Sequence, residues 1–165
     1  MRGLDLLVFS DSHGRSDAMQ AVIDRQLRTP DSIFFLGDGL RDADSLRTGR
    51  SHLFSVRGNC DFVWDPTTPT EQLLPFGEHK ILMTHGHLLG VKGGLGTLIA
   101  HAAALGADVV LFGHTHLPIA RSLTADETPL GRPMYLFNPG SIGYDGCFGT
   151  VTLQGENVLL SHGQI

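Results

Sequence analysis

Seven residues of this chain have types that bind metals or move protons, and they tip five apolar runs, nearly always beside glycine. They are Asp11, His13, Asp38, Asn59, His85, His114 and His116. Leu4–Ser10 runs into Asp11-Ser12-His13-Gly14, and Ile33–Leu36 into Gly37-Asp38-Gly39. Leu53–Val56 is followed by Arg57-Gly58-Asn59-Cys60-Asp61, Ile81–Met83 by Thr84-His85-Gly86-His87, and Val109–Phe112 by Gly113-His114-Thr115-His116. Singly, Asp and Asn are ordinary turn residues. Together, imidazole and carboxylate donors suit Mn, Fe, Zn, Ni or Co, with little pull toward thiolate-preferring ions. Seven donors are more than one ion needs from a protein and suit a pair sharing a carboxylate. Two divalent ions against two carboxylates leave a pocket of about +2, suited to a phosphate ester.

The elements must then bring five tips together. Leu4–Phe9, Ser32–Leu36, His52–Val56 and Asp108–Phe112 read as strands, and near-continuous apolar runs such as Leu4–Phe9 fit strands buried on both faces. Ser16–Leu27 carries Met19, Val22, Ile23 and Leu27 at helical spacing, and shorter helices are expected over Asp42–Thr48 and Thr97–Leu105. Glu71–Phe76 and His79–Thr84 form a hairpin about Gly77-Glu78. Asp61–Thr70 reads as a loop, Gly90–Gly96 as a flexible rim loop, and residues 118–165 as strands and turns ending in a hairpin near Gly155. Ligands of open α/β sheets bind outside the carboxyl ends of the strands, where parallel strands place these tips.

Composition bounds the function. The formal charge of −5 argues against a basic nucleic-acid module. No apolar run approaches the ~20 residues of a membrane span, and the first lacks the flanks of a signal peptide. Two cysteines make no disulfide framework, so a cytoplasmic protein is expected. The length fits one domain over 1–165.

Asp11-x-His13, Gly37-Asp38, Gly58-Asn59-x-Asp61, His85-Gly86-His87 and Gly113-His114-x-His116 resemble, in order, the five signature blocks of the calcineurin-like metallophosphoesterases. With Asn138-Pro139-Gly140-Ser141, the chain resembles the compact branch that holds the YfcE-type phosphodiesterases and the retromer subunit of similar fold. The resemblance implies an α/β class fold, a four-layer α/β/β/α sandwich of two mixed β-sheets flanked by helices. It implies that Asp11, His13, Asp38 and His116 hold one divalent ion and that Asp38, Asn59, His85 and His114 hold a second. Asp38 would bridge, and Asp38, Asn59 and His85 would serve catalysis. Manganese is the first ion expected, with Ni, Fe, Co or Zn as alternatives. The implied reaction is hydrolysis of a small phosphodiester by in-line attack of a metal-bound hydroxide. The other readings are a non-catalytic scaffold like the retromer subunit, or a nuclease.

One position departs from the pattern of larger members: Cys60 stands where they carry a histidine thought to protonate the leaving group. A thiol is a poor proton donor at neutral pH. His87 is the remaining candidate, and no residue is assigned the role. Arg15, Arg57 and Lys92 are candidates for the substrate phosphate. Phe62 and Trp64 are expected in the core rather than lining a cleft or subunit interface. His52, His79, His101 and His162 are expected to be structural. Homo-oligomers are compatible with the fold.

Overall fold

The computed structural model describes residues 3–165. Strands β1 (Leu4–Phe9), β2 (Ser32–Phe35) and β3 (His52–Ser55) lie parallel, and β9 (Cys147–Gln154) and β10 (Asn157–Gln164) extend this sheet antiparallel in the order β10-β9-β1-β2-β3. The second sheet is β4-β5-β6-β8-β7, from β4 (Glu71–Phe76), β5 (His79–Thr84), β6 (Val109–Leu111), β7 (Ile119–Leu123) and β8 (Met134–Asn138). In it β5, β6 and β8 run parallel, while β4 and β7 close the edges antiparallel.

Alternation along β1 sorts its side chains between two cores. Leu6 and Val8 join Phe34, Ile81, Met83, Val109, Leu111 and Phe137 in the layer between the sheets. Leu7 and Phe9 face the other way, onto α1 (Ser16–Asp24), α2 (Leu40–Asp44) and α4 (Ile142–Asp145) through Met19, Val22, Leu40 and Ile142. Leu82, Val110 and Leu136 meet Leu98 and Ala102 of α3 (Gly96–Ala104) on the outside of the second sheet. Both faces of the central strands are thus covered, which is why they read as unbroken apolar runs. The result is the expected four-layer sandwich of two mixed sheets flanked by helices. No helix among the described residues is long and apolar enough to cross a membrane.

Four local expectations differ, the first being that residues 118–165, expected as strands and turns, also hold the short helix α4, whose Ile142 packs against the first sheet. Helix α1 stops at Asp24, and Leu27 lies fully exposed beyond it, so the last apolar position of the pattern belongs to no buried face. Helix α2 begins two residues earlier than expected, because Asp61 accepts the backbone N–H of both Gly39 and Leu40 at its start. Gly90–Gly96 is not one open loop; it contains a 3-10 turn, Val91–Gly93, whose Val91 is buried, and Gly96 already belongs to α3.

Candidate metal centre

The ends of β1, β2 and β3 meet those of β5 and β6 along one edge of the sandwich. His114 N–H, beyond β6, donates to Asp11 Oδ2, beyond β1 (3.1 Å). His85 Nδ1, beyond β5, pairs with the Leu36 carbonyl beyond β2 (2.8 Å). That contact fixes the His85 ring and turns its Nε2 toward the other tips.

Two sets of donors result. Asp11, His13 and His116 form one, and Asp38, His85 and His114 the other, each with its donor atoms within 4.8 Å of one another. Asn59 joins the second set, its Oδ1 lying 3.1 Å from His85 Nε2. The sets adjoin: Asp11 Oδ1 is 3.2 Å from His116 Nε2 and 3.9 Å from His85 Nε2. All seven residues expected at the site are therefore together.

The donor set suits divalent cations on two observations. Asp11 Oδ1 and His13 Nε2 are buried and have no hydrogen-bond partner among the described residues, an arrangement that costs about 1–3 kcal/mol per group unless something else satisfies it. Further, among the described residues, Asp11, His13, Asp38, His114 and His116 are the non-glycine residues with positive φ, between 43° and 69°. Such backbone is sparsely populated, and it concentrates where the surrounding structure imposes a function.

The supporting contacts come from residues that are not among the candidate ligands. Asp61 is buried, and its carboxylate accepts four backbone N–H groups: Asp38 (2.7 Å), Gly39 (2.8 Å), Leu40 (3.0 Å) and Gly58 (2.9 Å). It thereby ties the Asp38 and Asn59 loops together. Asp42 accepts Ser12 Oγ (2.7 Å) and Gly14 N–H (2.8 Å), steadying the loop that carries His13. Asn138 donates to the Gly113 carbonyl (3.1 Å) and Thr115 Oγ1 (3.0 Å), shaping the loop of His114 and His116. Ser141 Oγ donates to the Asp11 carbonyl (2.9 Å). Glycine at 113 lets the loop pack close, since a Cβ there would lie 2.0 Å from Ser10 Oγ and 2.9 Å from Asp11 Oδ2, and those side chains would have to shift.

Electrostatics follow from the same geometry. Burial works to raise the Asp38 carboxyl, but the hydrogen bond and positive charge of His85 outweigh it and hold the group well below the usual carboxylate range. Burial likewise works to lower His85, while Asp38 and Asp11 raise it on balance. His87 and His114 are lowered, first by burial and then by the charge of His85, with Arg57 and Lys92 adding to the effect on His87 and His114 respectively. The Cys60 thiol is pushed up by burial and by Asp38.

Other expected residues divide. Arg15 pairs with Asp17 on the surface (2.9 Å). Arg57 keeps a buried Nε without a hydrogen-bond partner, and its guanidinium lies over the Phe62 ring at 5.4 Å. Phe62 and Trp64 are not in the core: both are more than half exposed, and Trp64 is held from outside by Asp44 and Arg41. The two aromatics lie in a proline-rich turn segment outside every strand and helix, so no sheet or helix face carries them inward. His79 (Asp108 and the Gly155 carbonyl), His101 (Glu71), His162 (the Asn138 carbonyl) and His52 (Phe54) each have a structural contact away from the site. Sequence reasoning missed Tyr144, whose ring stacks on His13 at 4.7 Å and lies 5.1 Å from His116.

Comparison with known proteins gives the class. The model of the calcineurin-like phosphoesterase superfamily domain matches residues 4–154, so the chain belongs to that superfamily, as a metal-dependent phosphoesterase. It is 36% identical over 139 residues to the probable metallophosphoesterase YsnB of Bacillus subtilis, covering 84% of this chain and 75% of that protein. It is 28% identical over 163 residues to the phosphodiesterase YfcE of Escherichia coli, covering 84% and 79%. The structure of Vacuolar Protein Sorting 29 from Cryptosporidium parvum shares the fold along the whole of both chains, with a TM-score of 0.74 at 18% identity.

Proposed function

We propose that residues 1–165 form a single metallophosphoesterase domain that hydrolyses a small phosphodiester at a dinuclear centre. Asp11, His13, Asp38 and His116 would hold one divalent ion, and Asp38, Asn59, His85 and His114 the other, with Asp38 shared. Manganese is the ion first expected, with Ni, Fe, Co and Zn as alternatives. The observation that carries the reading is the pair of adjoining donor sets around Asp11 Oδ1, a buried oxygen with no hydrogen-bond partner among the described residues. A bound pair of ions would polarise the phosphoryl oxygens and lower the pKa of a coordinated water toward neutrality.

The chain's own residues define the rest. The Leu36 carbonyl holds His85 so that Nε2 faces the substrate side. Asp61 fixes the backbone that carries Asp38 and Asn59. Arg57 and Lys92 bring positive charge toward His87 and His114 respectively, which supports them as the candidates for phosphate oxygens. Neither the raised Cys60 thiol nor the lowered His87 is a ready proton donor, so esters whose leaving group departs without a proton suit this site best. The diester preference leans on likeness to YfcE. The free cysteines, Cys60 and Cys147, fit the cytoplasm.

The fold likeness to Vacuolar Protein Sorting 29 and the exposed Phe62-Val63-Trp64 loop favour a second reading, a partner-binding scaffold without catalysis. Metal-stripped protein reloaded with each ion, and offered bis(4-nitrophenyl) phosphate beside 4-nitrophenyl phosphate, separates the two. Metal-dependent cleavage favouring the diester is expected. A fully loaded but inert protein would move the search to partners.

A further inference from the structure

Tyr144 is an exposed aromatic residue held beside the candidate metal ligands. Its backbone N–H donates to Ser141 Oγ (3.0 Å), and Ser141 Oγ in turn donates to the Asp11 carbonyl. The preceding Gly143 donates its N–H to that same carbonyl (3.1 Å), and a Cβ at Gly143 would lie 2.2 Å from the Ser12 carbonyl oxygen. Helix α4 is therefore pressed against the loop that carries Asp11 and His13, and the Tyr144 backbone is fixed relative to them.

One face of the ring is occupied. It stacks on His13 with an interplanar angle of 26°, and His116 stands against it at 44°. Yet Tyr144 is 66% exposed, so the ring offers a broad open surface next to the donor set of Asp11, His13 and His116. A flat exposed π surface favours a planar aromatic group over a charged headgroup. Stacking on such a surface is worth about tenfold in affinity.

We propose that Tyr144 is a specificity-determining residue that stacks a planar aromatic group, aryl or nucleobase, carried by a phosphate ester bound at the adjoining site. The proposal rests on the phosphoesterase reading for its substrate, and a binding measurement lets it be judged separately. Calorimetric Kd values would be obtained on Mn-loaded wild type, Tyr144→Leu and Tyr144→Phe for phenyl phosphate, thymidine 5′-monophosphate and methyl phosphate. Alongside, kcat/KM would be measured for phenyl 4-nitrophenyl phosphate and methyl 4-nitrophenyl phosphate, which share a leaving group.

In wild type the aromatic ligands should bind more tightly than methyl phosphate. Tyr144→Leu should reduce that preference about tenfold, with a matching fall in the kcat/KM ratio carried by KM, and Tyr144→Phe should keep both. A loss confined to phenyl phosphate assigns the surface to small aryl esters, and a loss for both ligands extends it to nucleosides. Equal weakening of all three ligands would overturn the proposal, because Tyr144 would then merely orient His13. Ratios within twofold of wild type would overturn it as well. Turnover with an unmoved ratio sinks the stacking role and leaves the phosphoesterase reading standing. A Tyr144-dependent preference without turnover does the reverse.

Discussion

Asp61 shows how one side chain can organise a site without being among its candidate ligands. Its two oxygens accept four backbone N–H groups from two loops, and Asn can reproduce only part of that because its amide nitrogen would face donors. Asp61→Asn should cost about 2–3 kcal/mol, visible as a melting temperature about 5–10 °C lower. An unchanged melt would mean that the loops hold themselves. His114 differs, since its ring is only half-buried and its loss opens no core cavity. His114→Ala should lower kcat/KM at least about a hundredfold while the melting temperature of the metal-free protein stays within a few degrees. Metal-dependent hydrolysis at the wild-type rate in that variant would remove His114 from the site.

At the scale of elements, the strand ends carry the site and the glycines let them meet. Gly113→Ala would push on Ser10 Oγ and on the carboxylate of Asp11, itself a candidate ligand, without removing any donor. Weaker Mn affinity by about tenfold or more is expected from such displaced support, read by calorimetry. Wild-type affinity would show that the loop yields. The same elements explain what was legible. Apolar runs tipped by Asp, Asn or His gave the strands and all seven residues, because a central strand buried on both faces leaves polar groups only at its ends. The ends of α1 and α2 were not legible: Leu27 continues a helical pattern that tertiary packing does not use, and α2 starts where Asp61, distant in sequence, supplies acceptors. Tyr144 carries no motif, and only the docking of α4 places it. Phe62 and Trp64 were misplaced because aromatic character alone does not distinguish a core residue from a rim residue.

Across the whole molecule, the two sheets share one apolar layer, and the site lies where their strand ends face each other. Stability of that layer and occupancy of the site are therefore coupled. Ions that bind only the folded chain should stabilise it by about 2.7 kcal/mol at a free concentration one hundred times Kd, so chelation should lower the melting temperature by about 5–10 °C. A melt indifferent to chelation would show that the ions contribute nothing to folding. Seven residues from five strand ends are proposed to hold two ions, and anomalous scattering from Mn-soaked crystals locates them. Two peaks are expected, one among Asp11, His13 and His116 and the other among Asp38, Asn59, His85 and His114. A single peak at full soaking, or peaks away from these residues, would contradict the proposal.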